Sequence, residues 1–257
     1  MDHPTGNFWV DNGLVYLINN LGPGIHDLEE VLTAIQDKLL QKTGNVGQYF
    51  DETTQQIKNY DEVAWIYPVR FFINVKDTSP KKVTIGSKQY PVTPRCPKLK
   101  LEFSNTQKQC DICGIQDVVI NGAMKIFPFV VTPNKFSNFY SSGKRGIYFC
   151  PRCAVAGVAG YLSWLWLTQG GDTLHIFLFH GDLRSLKRLH EDVVYNLQKQ
   201  GSKRGNIELP FYGPYLHETT MALILELFSH IKDSNKISKE GREFLASIIG
   251  ADSSAPV

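Results

Sequence analysis

Cys110-Asp111-Ile112-Cys113-Gly114 and Tyr148-Phe149-Cys150-Pro151-Arg152-Cys153 carry four of the five cysteines of this 257-residue chain, as two CxxC pairs 36 residues apart. Two such knuckles each offer two thiolates at one corner, so together they close a tetrahedral all-cysteine site with no position left for water or substrate. A site of that kind, a structural zinc ion held by Cys110, Cys113, Cys150 and Cys153, stabilises a fold and says little about chemistry. The competing reading, reduced thiols or two disulfides, is weaker: CxxC pairs bridge internally in redox-active settings, and Met1-Asp2-His3-Pro4 has no basic segment followed by an apolar one, as a secretory signal would. Cys96 lies outside both pairs and reads as an ordinary buried thiol, or as a substitute ligand if the register is unusual.

Working outward, the 36 residues between the knuckles form a long loop containing Phe127-Pro128-Phe129 and a polar, aromatic stretch from Phe136 to Gly146. A loop of that length calls for a function. After the second knuckle a helix is predicted from Pro151 through Thr168, then a buried strand Thr173–His180, an Asp182-capped helix to about Gly201, and helices near 215–232 and 238–249. Before the first knuckle, Asp11 is the expected cap of a short helix ended by Gly22-Pro23-Gly24. A second helix is expected from Asp27 to about Lys42, with Gly44 as its stop. Val63–Val75 reads as a strand with Pro68 at an edge or bulge, and Lys82–Val92 as a hairpin around Gly86-Ser87. The fold class is therefore α+β: a globular core of helices with a small sheet, an inserted four-cysteine zinc-ribbon module and a helical C-terminal part. The segments are 1–95, the zinc module 96–153, a helix-rich region 154–250 with one buried strand, and a frayed tail 251–257.

A hydrophobic content of 42% is enough for a full core. The most apolar stretch, Ala154–Leu167, is shorter than the roughly 20 residues of a membrane helix, so it reads as a core helix in a cytoplasmic protein with no membrane partner. The net charge of +2 conceals an asymmetry: residues 1–75 sum to −6, residues 76–204 to +11 and the remainder to −3. A basic middle between acidic ends suits a module facing nucleic acid, because phosphate attraction depends on local charge. Four metal-bound thiolates remove about two of those charges, and the surplus survives.

Motifs of catalysis are absent from the sequence. Gly143-Lys144 lacks the rest of a P-loop, and no G-x-S-x-G, H-E-x-x-H or G-x-G-x-x-G occurs. His175 and His180, five apart, fall on opposite faces of a strand and do not converge. His217-Glu218 reads as a helix start. The expectation is a protein that is not an enzyme. The alternatives are a zinc-ribbon nuclease or nucleic-acid-processing accessory whose acids, such as Asp172 and Asp182, meet only in three dimensions, or a DNA-binding regulator.

Three stretches, in this order, resemble the large subunit of type I CRISPR Cascade surveillance complexes, particularly of subtypes A and B: Thr5-Gly6-Asn7-Phe8-Trp9-Val10-Asp11-Asn12-Gly13; the first knuckle with Phe127-Pro128-Phe129 and Asn138-Phe139-Tyr140; and Tyr148–Cys153 opening an alanine-rich helix. Together they span roughly residues 1–170. The resemblance implies a non-catalytic ribonucleoprotein subunit that helps hold the crRNA 5′ end, reads the protospacer-adjacent motif on target double-stranded DNA and assists strand separation. Its implied partners are crRNA, target DNA, the other Cascade subunits and a separate helicase-nuclease recruited transiently. Subunits of that family usually continue into a longer helical bundle, so the chain reads as a compact version, one half of a split gene, or an N-terminal domain.

Between Lys76 and Arg152 there are thirteen basic residues against four acidic ones. Lys135, Asn138, Lys144 and Arg145 combine charge and polar reach on a loop anchored at both ends, the arrangement by which Asn or Arg reads base edges and Lys takes phosphate. Lys98, Lys100, Lys108 and Arg152 join them as candidate nucleic-acid contacts. Asn7 is placed by the resemblance near the backbone subunits and the crRNA end.

Overall fold

The computed structural model describes residues 3–22, 27–65, 81–97, 99–123, 125–128, 146–169, 172–202, 205–207 and 215–232, with Lys239, Glu243 and Ala246. It is an α+β chain in two compact units, one made of Met1–Gly24 with Ala156–Val257 and the other of Ile25–Val155. Among the described residues no helix is long and apolar enough to cross a membrane.

The first unit opens with helix α1 (Phe8–Leu21), capped by Asn7, whose Oδ1 accepts from the Trp9 and Val10 N–H groups at 3.1 Å. Asp11, the expected cap, lies one turn further on and does a different job. Its buried carboxylate accepts from Thr5 N and Thr5 Oγ1 at 2.7 Å and from Gly6 N at 3.1 Å, folding the preceding loop back onto the helix. Asn caps a helix as well as Asp, and the Thr5-Gly6 turn presents donors that a carboxylate satisfies better than an amide.

Gly13 and Gly160 set how closely α1 meets the later part of the unit. A Cβ on Gly13 would lie 1.7 Å from Ala156 O, and one on Gly160 would lie 2.6 Å from Trp9 Nε1. Trp9 Nε1 in turn donates to Gly157 O at 2.6 Å. Trp9 is edge-on to Tyr161, Trp164 and Phe177, forming an aromatic cluster at the helix crossing.

The helix expected over Pro151–Thr168 ends early: α3 is Pro151–Ser163, and Leu165–Gln169 is a strand. That strand pairs antiparallel with Asp172–Ile176 in the register Gln169↔Asp172, across the two glycines Gly170 and Gly171. A Gly-Gly pair between aromatic and β-branched runs is a hairpin signal, and it outweighs the apolar continuity that made one helix look plausible. Strands Gln198–Ser202 and Gly205–Ile207 complete a four-stranded antiparallel sheet in which Gly205–Ile207 pairs with Leu165–Gln169. The buried strand expected over Thr173–His180 stops at Ile176.

Asp182 caps α4 (Leu183–Leu189) as expected, its Oδ2 accepting from Ser185 N at 2.8 Å and Ser185 Oγ at 2.9 Å. A π turn, His190–Val194, and a last helical turn, α5 (Tyr195–Leu197), follow, so the helix gives way to strand earlier than the expected Gly201. Helix α6 (Leu216–Lys232) matches its expectation, while of the helix expected near 238–249 only Lys239, Glu243 and Ala246 are described, all helical. Val15, Leu165, Leu186, Leu189, Val193 and Ala222 are among the buried side chains of the unit's core.

The second unit holds α2 (Leu28–Leu39), capped by Asp27 and burying Val31, Leu32, Ile35 and Leu39, and a set of two-stranded ribbons. The helix passes directly into β1 (Leu40–Asp51), which pairs with β2 (Gln56–Trp65). This hairpin was not foreseen. None of its residues is fully buried, so no strict alternation of burial marks it, and Gly44, read as a helix stop, sits with φ +81° where the pairing shifts between Lys42 and Val46. Tyr60 lies across Gly47 on the facing strand, filling the space the glycine leaves. The strand expected over Val63–Val75 is described only to Trp65. The hairpin expected over Lys82–Val92 is present as β3 (Lys82–Ile85) and β4 (Lys88–Pro91), with Gly86 at φ +61°.

Candidate metal centre

The four cysteines are brought together by two further ribbons, β5 (Gln107–Gln109) with β6 (Gln116–Val118), and β7 (Ile120–Asn121) with β8 (Tyr148–Phe149). The first knuckle is the turn between β5 and β6. Cys110 N donates to Ile115 O and Gly114 N to Cys110 O, both at 2.9 Å, and Gly114 takes φ +77°, which closes the loop tightly enough to aim Cys110 and Cys113 the same way. The second knuckle leaves β8 and enters α3, where Ala154 N donates to Cys150 O at 2.8 Å.

Asp111 ties the knuckles together. Its N–H donates to Tyr148 O at 2.9 Å while its Oδ2 accepts from Tyr148 N at 2.8 Å, a two-way clasp beside the sulfurs. Cys150 N donates to Cys110 Sγ at 3.3 Å, and Cys113 Sγ and Cys150 Sγ stand 3.6 Å apart. All four Sγ atoms lie within 4.8 Å of one another; Cys110, Cys150 and Cys153 are buried and Cys113 half-buried. A tetrahedron with bonds of about 2.3 Å has edges of about 3.8 Å, so the set closes on a metal ion with sub-ångström adjustments.

The electrostatics of the cluster match that use. Hydrogen bonding from Cys153, above all, holds the Cys150 thiol down to about 5, with Cys113 and Cys110 adding to it. Cys153 is pushed up by its hydrogen bond to Cys150 and by burial, and Cys113 is pushed up by burial. One sulfur ionises readily and its neighbours resist, so a second and third negative charge need a cation among them. Four convergent thiols therefore can hold a metal ion, and among the described residues they are the one group of three or more cysteine, histidine or carboxylate side chains placed to do so.

Cys96 is exposed and stands apart from the cluster, so it is neither the buried thiol expected nor a replacement ligand. It lies outside any helix or strand, with its Sγ 3.7 Å from Pro97 O.

Of the candidate nucleic-acid contacts, Lys98, Lys135, Asn138, Lys144 and Arg145 lie outside the described residues. Lys108 is on β5, its Nζ 4.5 Å from the Tyr148 ring centroid and 3.2 Å from the Tyr148 hydroxyl. Lys100 is exposed and 3.2 Å from Glu102. Arg152, half-buried, precedes Cys153 on α3. Asn7 spends its side-chain oxygen on the α1 cap. His175 stacks on Trp164 with centroids 5.0 Å apart, while His180 Nδ1 accepts from Asp182 N at 3.0 Å; the two rings serve separate local contacts.

Two residues that the sequence reading passed over matter to this centre, Asp111 and Gly114. Both had a visible signal: a carboxylate inside the first CxxC, and a glycine immediately after it. Compared with known proteins, the chain matches no family model, no curated protein and no solved structure.

Proposed function

We propose that this chain is a non-catalytic, nucleic-acid-binding subunit of a CRISPR RNA-guided surveillance complex, with a structural zinc ion on Cys110, Cys113, Cys150 and Cys153. In this reading it helps hold the crRNA 5′ end, recognises the protospacer-adjacent motif and promotes strand separation, alongside other Cascade subunits in the cytoplasm, and leaves cleavage to a recruited helicase-nuclease. The ordered resemblance of the N-terminal and knuckle motifs suggests the family.

The observation that carries the proposal is the convergence of the two knuckles in the basic unit. Residues 25–155 sum to +5 and the rest of the chain to −3, and within that unit residues 76–155 alone sum to +9. Drawing the knuckles together sets Lys108 and Tyr148 side by side, a cation and a ring of the kind used to hold phosphate and stack a base. The all-thiolate donor set favours zinc over harder divalent ions, and a closed four-sulfur site supplies fold stability with no open coordination position.

The test is to purify the chain with its native partners and sequence whatever RNA accompanies it. A repeat-derived 5′ handle is the expected result. RNA-free protein that binds neither handle RNA nor motif-flanked duplex at low salt overturns the assignment. Elemental analysis of the same preparation should give one zinc per chain.

A further inference from the structure

The π turn His190–Val194 opens with a histidine that is 0% exposed. Such turns interrupt helices at a cost and recur where a side chain is needed in a particular place. His190 Nε2 lies 2.6 Å from Asn12 Oδ1. The other end of that amide fixes the roles: Asn12 Nδ2 donates to Phe8 O and to Leu178 O, each at 2.7 Å, so the atom facing the ring is the oxygen and Nε2 carries the proton. Nδ1 is left with a buried lone pair and no hydrogen-bond partner among the described residues. Ser163 Oγ donates to Asn12 O at 3.1 Å. One asparagine thus joins α1, the segment after Ile176, the end of α3 and the π turn, and one imidazole is the titratable member of the group.

We infer that the His190–Asn12 pair is a proton-sensitive latch, closed onto α1 while the ring is neutral and released when Nδ1 takes a proton. Protonation creates a second N–H at a buried place where the described residues offer it no acceptor, and a cation that loses its hydration there. The titratable groups on the elements touching the ring do not offset it. On α1, Asp11 is engaged by Thr5 and Gly6, and Tyr16 is pushed up by burial. On its own helix, Tyr195 meets the ring edge-on at 6.0 Å with its hydroxyl accepting from Asn19, and burial pushes it up too. Glu191 faces outward to Lys187 at 3.7 Å, and Asp192 is half-buried beside it. On α3, burial keeps Tyr161 protonated; before α4, Asp182 is bound by Ser185, and the half-buried His180 is engaged by the Asp182 N–H. Burial alone accordingly holds His190 down to about 4.

The direction follows. Above the ordinary histidine value of 6.5 the latch is fully closed; as pH falls from 6.5 towards 4 the open form binds a proton that the closed form refuses, and opening becomes easier by up to about tenfold per pH unit. The experiment is amide hydrogen exchange of α1 between pH 7 and 4, corrected for intrinsic chemistry, in the wild-type chain and in His190→Gln, whose amide can donate to Asn12 without titrating. Extra acceleration in the wild type that is absent from His190→Gln supports the latch; equal slopes in both overturn it. Should His190→Gln fail to fold, the wild-type imidazole resonance decides: a midpoint near 4 supports the latch, and one near 6.5 with unchanged exchange refutes it.

Discussion

Single residues in the N-terminal motif do more structural work than their sequence context suggests. Asn7, Trp9, Asp11, Asn12 and Gly13 each make a separate contact, as cap, indole donor, loop clasp, amide bridge and close-packing gap. Gly13 is the least forgiving of them, because the atom a new Cβ would strike is a backbone carbonyl and not the end of a movable side chain. Gly13→Ala should cost about 3 kcal/mol or more, the upper end of overpacking effects, even though alanine is the better helix former. Urea denaturation measures it, and a neutral or stabilising change would show that the helices separate at little cost. Asp11→Ala should cost about 1.5–3 kcal/mol, the range for hydrogen bonds to a charged group, since Thr5 N, Thr5 Oγ1 and Gly6 N all lose their acceptor. The cysteines were plain in the sequence, because ligand spacing is local. The roles of Asn12 and Gly13 were not, because their partners lie some 140 to 180 positions away.

Among the elements, those read well carried a local stop or cap: Asp27 before α2, Asp182 before α4, Gly86 in the β3–β4 turn. Those read badly were decided by a pairing partner. The run after Ser163 is apolar in either conformation, and its strand state depends on what lies beside it, including Asn206. That buried side chain accepts from Trp166 N at 2.8 Å and donates to Trp164 O at 2.6 Å, acting as a short piece of strand edge beyond the single paired position Gly205↔Leu167. Asn206→Leu should therefore cost about 2–4 kcal/mol, by removing two buried side-chain-to-backbone hydrogen bonds at once. Asn206→Asp keeps the acceptor, loses the donor and buries a charge, so it should be no better tolerated at neutral pH. Chemical denaturation of the pair checks this, and a stability equal to wild type for the leucine variant would mean the strand edge is held by other contacts. The β1–β2 hairpin escaped the sequence reading for a different reason: its side chains are half-buried or exposed and none is fully buried, so burial left no alternating pattern to find.

At the scale of the whole molecule, a metal ion would support the part of the second unit that is built of short ribbons. β5 to β8 are two or three residues each, too short to hold together by backbone pairing alone, and what unites them is the sulfur cluster and the Asp111–Tyr148 clasp. Without an ion the four thiols stand crowded within 4.8 Å, with Cys150 held down and Cys153 pushed up. Metal affinity should accordingly weaken as pH falls, because protons compete for the same sulfurs, and binding should release protons. Replacing any one of Cys110, Cys113, Cys150 or Cys153 with Ser should abolish stoichiometric metal and raise hydrogen exchange across Gln107–Asn121 and Tyr148–Cys153, whereas Cys96→Ser should change neither. The amides of the four-stranded sheet, in the other compact unit, should keep their protection at neutral pH. Wild-type protection in all four serine variants would mean that packing around Val119, Ile126 and Phe149, each at most 2% exposed, holds the ribbons without the ion. Asp111→Ala divides the two contributions: it removes the side-chain half of the clasp, the bond from Tyr148 N to Oδ2, and keeps every ligand, so metal should still bind stoichiometrically but more weakly, by the 10- to 100-fold typical of a lost outer contact.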